Sequence, residues 1–367
     1  MTLTDDLRLK IARITVALVF IGIILISFNL WLTDRHYPLA PVFDFFPQIP
    51  SPYDYVQPVV LLVLLVLIIF NAAPHIVVRV FIVVFWLLVL CDQNRLQTFN
   101  YILSFLLLPF AFYRKEDSSA RELILHCMRL ILIGTYFWSG VQKLNIGFVD
   151  RMYPYFAGKV HIPGFEPDDL LRKYVILIIP FYEILLSFLF MIGPLRSMAV
   201  VLAAVMHLSI AVFMSPAGFG WNLVVIPWNV GLVPLVFALF WKAEFSLREL
   251  WSPRGYLLKG VVILLFIVMP VFNFFGLWDH NLSASIFSTR PKYAGVVINK
   301  ELEADLPDYL RPYLRSMGDT VFIECTYWML GELNVTPYPE ERVYQKNLEY
   351  VCKFSSQQPC QARLMYY

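Results

Sequence analysis

Charge is what this sequence has least of. Asp, Glu, Lys and Arg make up 15% of its 367 residues, against about a quarter in an ordinary soluble domain. A mean hydropathy of +0.65 goes with that shortage, and together they exclude an ordinary soluble globule. The formal charge of +2 has no basic tract behind it, which excludes nucleic acid as a partner. Histidine is sparse as well: six are scattered along the chain without the tight spacing of zinc or haem motifs, so no metal is expected. There is no glycine-rich phosphate loop and no serine elbow, which removes the common nucleotide and hydrolase signatures. The five cysteines include no Cys-x-x-Cys pair.

Long apolar runs are what the chain has instead. A hydrocarbon core roughly 30 Å thick requires about 20 apolar residues per helix. The first run, "KIARITVALVFIGIILISFNLWL", occupies residues 10–32 behind Arg8, Lys10 and Arg13. It is longer than a signal-peptide core and has no small-residue cleavage site after it, so it reads as an uncleaved first span. Further runs cover 57–73, 76–91, 99–113, 122–143, 174–192, 197–214, 219–241 and 257–276. Those at 99–113 and 219–241 are the weakest, the first for its length and the second for Pro227 and Pro234. The expected architecture is an all-α multi-pass bundle of about nine transmembrane helices over residues 1–276. Residues 277–367, polar and punctuated by proline, form a small α+β or β-rich domain with strands in "YAGVVIN" and "TVFIECTYWML".

Positive charge orients the bundle. The N-terminus, "RKEDSSAR" (114–121), "GPLR" (193–196) and "KAEFSLRELWSPR" (242–254) all fall on one side when nine spans are threaded. That side is assigned to the cytoplasm of a cell (inner) membrane protein. The loops at 34–55, 92–98, 144–172 and 215–220 and the C-terminal domain are assigned to the other side. An oxidising compartment there favours a Cys352–Cys360 disulfide, with Cys325–Cys352 as the alternative pairing. Asn281 and Asn334 begin N-x-Ser/Thr sequons, which matter only in a glycosylating host.

Polar residues inside spans point to a cavity, a partner helix or a function. Steps of three and four from His126 reach Arg129, Ile133, Tyr136, Gly140 and Lys143, one face of one helix. The stripe is about 25 Å long. Snorkelling of Arg129 and Lys143 to opposite interfaces would also account for it, but Gly140 on the same face lets a helix or a flat ligand approach. Glu183 lies mid-span and needs a partner, for which Arg129 or His126 are the nearest candidates by sequence. It forms either a register-fixing ion pair or a proton relay. His207, Trp221, Asn222, Trp228 and the "DQNRLQ" stretch with Asp92, Gln93, Asn94 and Arg95 converge on the same outer side. A dry lysine can act as a general base or clamp an anion, and aromatic walls open to lipid suit a flat ligand such as a quinone.

The segment "RLILIGTYFWSGVQKLN" resembles a motif of vitamin K-dependent γ-carboxylase-like (HTTM) and DoxX-like membrane proteins. "PFYEILLSFLFMIGPLR" is similar to a glutamate-containing DoxX-like helix, and "MHLSIAVFMSPAGFGWNLVVIP" to the HTTM stretch that follows. The resemblance covers about residues 120–245. It implies a quinone or quinol cofactor, vitamin K-like, with Lys143 as base and His207 as a supporting catalytic group. Tyr136, Gly140, Asp92, Asn94, Arg95 and Trp221 then become candidate cofactor contacts. The implied enzyme is carboxylase-like, of the carbon–carbon lyase type, or a quinone-linked oxidoreductase. The outer domain is much smaller than in the animal carboxylase, and no propeptide-binding region is identifiable. The competing expectation is a membrane scaffold or assembly factor whose C-terminal domain docks an exported protein or peptide. A transporter would need paired broken helices, for which three prolines are thin support.

Overall fold

The computed structural model describes residues 3–112, 118–157, 174–252, 255–355 and 360–367. Most of the loop expected at 144–172, the start of the basic segment at 114–121 and the end of the one at 242–254 lie outside the described residues. Among those described, four helices are long and apolar enough to cross a membrane: Asp5–Ile26, Ser118–Gln142, Gly193–Met214 and Leu257–Phe275. The other apolar runs form helices of 10–17 residues. Length and composition thus support a multi-pass membrane bundle with four candidate crossings, and the count of nine goes beyond them.

The helices are α1 (Asp5–Ile26), α2 (Val56–Ile69), α3 (Pro74–Cys91), α4 (Thr98–Leu107), α5 (Ser118–Gln142), α6 (Ile146–Ala157), α7 (Ile178–Met191), α8 (Arg196–Met214), α9 (Val225–Phe240) and α10 (Tyr256–Ile263). Helix α1 starts at Thr4, whose hydroxyl accepts from the Leu7 amide at 3.4 Å, with Asp5 and Asp6 complementing the positive helix end. The run at 257–276 changes hydrogen-bond pattern twice, passing from α to π at Leu264–Val268 and to 3₁₀ at Met269–Phe275. Pro270 sits in the last piece, where its missing N–H cannot support an α ladder.

Both faces of these helices are apolar, which is the sign of a lipid environment. Helix α3 buries Val78, Phe81, Phe85 and Leu88 while exposing Ile76, Val80, Val83 and Leu87. Helix α8 turns Ala199, Ala203, His207 and Ala211 inward and Met198, Val201, Val205, Leu208 and Val212 outward. Small inward residues let helices approach closely where lipid tails offer no hydrophobic incentive to associate.

One end of the bundle is tied by arginines. The last carbonyls of α9 lack helical partners, and Arg8 donates to Ala238 O at 2.7 Å and Trp241 O at 2.9 Å. Arg129 donates to Leu239 O at 2.9 Å, and Arg196 to Ala243 O and Phe245 O at 2.7 and 2.8 Å. Phe245 lies under both Arg129 and Arg196, 4.3 and 3.5 Å from their guanidinium carbons.

The opposite end carries the C-terminal domain. Strands β1 (Ala294–Asn299), β2 (Leu314–Met317), β3 (Thr320–Glu324) and β4 (Ala362–Tyr366) form an antiparallel sheet in the order β2-β3-β1-β4. Three helices complete it: α11 (Lys300–Asp305), α12 (Cys325–Leu333) and α13 (Glu341–Cys352). The expected strand in "TVFIECTYWML" is thus a strand only to Glu324. Beyond it Cys325, Trp328, Met329 and Leu333 are buried at steps of three and four, the helical period. The Cys352–Cys360 disulfide is present, and Cys325 is a free, buried thiol.

The "DQNRLQ" stretch is the clasp between bundle and sheet domain. Asp92 binds Arg35 at 2.6 Å and accepts from the Ala40 and Asn94 amides. Arg95, fully buried, donates to Leu30 O, Trp31 O, Leu88 O and Gln57 Oε1 at 3.0–3.2 Å. Gln93, Asn94 and Gln97 reach Arg342, the Tyr338 amide and Thr336 O in the sheet domain. Removing a carboxylate from a buried network strands its cations, at a cost of about 3–5 kcal/mol. Asp92→Asn should therefore lower the thermal unfolding midpoint of the detergent-solubilised protein, read as the fraction still monodisperse after heating. An unchanged midpoint would show that the carbonyls and Gln57 hold both guanidiniums without the carboxylate.

Candidate functional site

A cavity of about 940 Å³ lies between α5, α6, α8 and α9 and the underside of the sheet domain. Its bundle walls are largely apolar, with Leu132, Met206, Ile210, Phe213, Trp228 and Leu232 among the lining side chains. Polar side chains interrupt them, Gln97, Arg151 and Asn222 among these, and two groups of them are connected by hydrogen bonds.

The first is an ion pair. Lys143 follows directly on the last residue of α5, where a cation meets the negative helix end. Its Nζ lies 2.7 and 3.0 Å from the two carboxylate oxygens of Glu183 and 2.7 Å from Ser139 Oγ. Ser139 O accepts as well, at 3.1 Å. Lys143 is 4% exposed and Glu183 7%, so each charge depends on the other for neutralisation. The sequence suggested Arg129 or His126 as the partner of Glu183; the structure corrects this to Lys143. Arg129 lies nearer the arginine-capped end and is committed to α9 and Phe245, and His126 sits against the same ring at 6.1 Å.

Gly140 explains how the pair forms. A Cβ at this position would lie 2.6 Å from Pro180 O and 2.7 Å from an Ile184 side-chain carbon. The missing side chain lets α7 approach α5 closely enough to bring Glu183 against Lys143. Gly140 is therefore a helix-contact residue and is not part of the cavity lining.

The second group is a chain of hydrogen bonds across three helices. Tyr136 on α5 meets His207 Nε2 on α8 at 2.5 Å, and His207 Nδ1 meets Asn229 Oδ1 on α9 at 2.8 Å. Asn229 Nδ2 donates to Val225 O at 2.8 Å, which leaves its oxygen for the histidine. His207 then carries its proton on Nδ1, and Nε2 accepts from the Tyr136 hydroxyl. Phe190 packs beside Tyr136, ring centres 5.4 Å apart. Tyr136, Lys143, Glu183, His207 and Asn229 all line the cavity.

Trp221 also lines it, next to Asn222, whose φ of +53° is the left-handed conformation asparagine tolerates best. Asp92, Asn94 and Arg95, expected at the site, do not line the cavity; they build the clasp above it. Their amides and charges face protein, because the sheet domain covers that end. Asn229, Ser139 and Glu324 were missed. An amide within "IPWNVGL" is the same signal as Glu183 in its span, a polar group too costly to leave without a role. Glu324 closes the outer rim, accepting from the Tyr367 hydroxyl at 2.9 Å with Arg315 at 3.1 Å. Burial holds its carboxyl above the usual range despite those partners.

An apolar cavity walled by lipid-facing helices and roofed by a polar domain defines a multi-pass membrane protein. A family model described as methylamine utilisation protein MauE, a membrane family, matches residues 121–223. That segment holds α5 to α8 and thus Tyr136, Ser139, Lys143, Glu183 and His207. It is under a third of the chain, so it marks a similarity of the cavity-forming helices. No curated protein and no solved structure matches the chain. The match overturns the resemblance to HTTM and DoxX-like proteins. In this structure the glycine of that short pattern is a close helix contact, with α7 packed against Gly140. The base role for Lys143 implied by that resemblance loses its support with it.

Two outcomes test these assignments. Glu183→Gln leaves the Lys143 ammonium buried without a counter-charge and should destabilise the solubilised protein by about 3–5 kcal/mol, while Lys143→Met with Glu183→Leu recovers most of that loss. Equal loss in the single and double variants would overturn the stranded-charge account, and an unchanged midpoint in Glu183→Gln would mean that the ion pair does not set stability. For Glu324, a folded-state pKa above the unfolded one means that the folded chain binds the proton more tightly. Its contribution is complete below the unfolded pKa and is lost as pH rises through the folded pKa. Glu324→Gln should therefore be more stable relative to wild type at neutral pH than in acid, as read by paired thermal melts across pH.

Proposed function

We propose that this protein binds a lipid-soluble ligand with a hydrogen-bonding head, of the quinone or quinol class, in the cavity under its sheet domain. The observation that carries this reading is the pairing of an apolar, ligand-sized cavity with two connected polar groups in its wall. Ligand sites commonly combine an apolar lining with a few placed polar groups, and buried ionisable groups in membrane helices mark function more often than chance. A ring packed among Trp228, Leu232 and Ile210 would have its oxygens near Tyr136 and the Lys143–Glu183 pair.

The same reading places the sheet domain on the non-cytoplasmic side. Supporting it are the cytoplasm-favouring basic segments at the other end, with Arg8, Arg129 and Arg196, and a disulfide suited to an oxidising compartment. The description of the matching family links its members to methylamine utilisation; a part in that process is the widest frame for this chain.

Mass spectrometry of solvent extracts from purified protein tests the reading. Quinone should copurify with wild type at near-stoichiometric amounts and fall by roughly tenfold in Leu232→Trp, which fills the cavity without touching its polar groups. Wild type carrying no more quinone than an unrelated membrane protein purified in parallel would overturn it, and would favour a scaffold that docks an exported partner.

A further inference from the structure

Tyr136, His207 and Asn229 stand in a fixed order of donors and acceptors. Asn229 is held by Val225 O at 2.8 Å, so its Oδ1 points to His207 Nδ1, also at 2.8 Å. That contact fixes the imidazole tautomer and leaves Nε2 as a proton acceptor, already bound to the Tyr136 hydroxyl at 2.5 Å. Among the described residues no other group hydrogen-bonds the Tyr136 oxygen, and its remaining lone pairs belong to a side chain that lines the cavity.

We propose that these three residues form a proton-accepting relay for a phenolic hydroxyl bound in the cavity, with Tyr136 in contact with the ligand, His207 as the acceptor and Asn229 as the positioning residue. The proposal rests on the ligand reading above and names the form it takes: the hydroxyl, quinol-type state. The ligand O–H breaks and its proton bonds to the Tyr136 oxygen as the proton of Tyr136 passes to His207 Nε2. The products are a ligand phenolate and an imidazolium whose Nδ1–H still points to Asn229. No electron moves, so no oxidant is required.

The donor class follows from acidity. An imidazole is about 3–4 pKa units less basic than a phenolate in water, a gap that hydrogen bonds to both product ions can close. An aliphatic alcohol lies far outside that range. A thiol is acidic enough but is a weak hydrogen-bond donor to the Tyr136 oxygen. The charged and titratable groups around the relay are Lys143 and Glu183 at one end of the same wall, Tyr182 on α7, whose hydroxyl is taken up by Leu202 O, Arg151 on α6 and Glu324 across the cavity with the sheet-domain tyrosines. The Lys143–Glu183 pair is neutral as a unit, so an imidazolium at His207 adds a charge that the ligand phenolate balances.

An alkyl-tailed nitrophenol, coloured only as the phenolate, serves as the probe with full-length protein in detergent. Bound to wild type, it should ionise at a pH at least one unit below its value in empty micelles, about a tenfold change in the ionisation constant. With protein in excess, so that the readout is the ionisation of the bound probe whatever its affinity, Tyr136→Phe and His207→Gln should lose that shift. Read the same way on the bound probe, Asn229→Leu should lose most of the shift, whereas Asn229→Asp should keep or extend it. Binding without a shift in wild type, or a shift that survives His207→Gln, overturns the relay and leaves the ligand reading intact. No binding to wild type removes both.

Discussion

A buried ammonium next to an apolar cavity has to be neutralised inside the protein, and the arrangement of α5 and α7 follows from that requirement. Glu183 reaches Lys143 because the two helices nearly touch at Gly140, where any side chain would collide with Pro180 O. Ser139, one turn before Lys143, takes up part of the ammonium's donor capacity with both its hydroxyl and its carbonyl. The pair fixes the rotation of α5 about its axis, and that rotation also presents Tyr136, two turns earlier on the same face, to His207. One electrostatic constraint thereby aligns both polar features of the cavity. Geometry of this quality decides whether a buried pair compensates its desolvation.

The sheet domain roofs the cavity, and the contacts that hold it there run from the loop between α3 and α4 down to Gln97 at the cavity edge. Arg35, Asp92 and Arg95 lock the loop between α3 and α4 to the end of α1. Gln93, Asn94 and Gln97 then bind the sheet domain through main-chain and side-chain contacts. Tyr37 adds an apolar anchor against Trp328, ring centres 4.8 Å apart, and its hydroxyl accepts from Asn347. Bundle and sheet share one continuous core, so the roof is set by the same packing that closes the helices.

Much of the bundle was legible because hydropathy is a local property: each apolar run reports its own preference for lipid without reference to any other. The partner of Glu183 was not legible, since it lies 40 residues away and helical periodicity says which face a residue occupies, not which helix meets it. The same limit applies to Asp92, Asn94 and Arg95, expected as cofactor contacts and found in the clasp. Clustered amides and charges signal a demand for partners, and either a ligand or a second domain can satisfy it. Residues after Glu324 read as strand because Tyr, Trp and Thr favour strands, whereas burial at Cys325, Trp328, Met329 and Leu333 follows the helical period. The family resemblance failed for a related reason, since its short motif falls on Gly140 and Lys143, which serve the contact between α5 and α7 here.

The ion pair and the hydrogen-bonded chain share a wall yet differ in what they can exchange. Lys143 and Glu183 satisfy each other within 3.0 Å, and a closed pair of this kind presents a fixed dipole to the cavity. The Tyr136–His207–Asn229 chain is open at one end, because tyrosine can donate to histidine and still accept from a third group. Asn229 matters most for that asymmetry: replacing its oxygen with a donor would reverse the imidazole and leave Tyr136 without an acceptor. The open end of the wall therefore lies with the neutral residues, and the charged pair beside it is closed on itself.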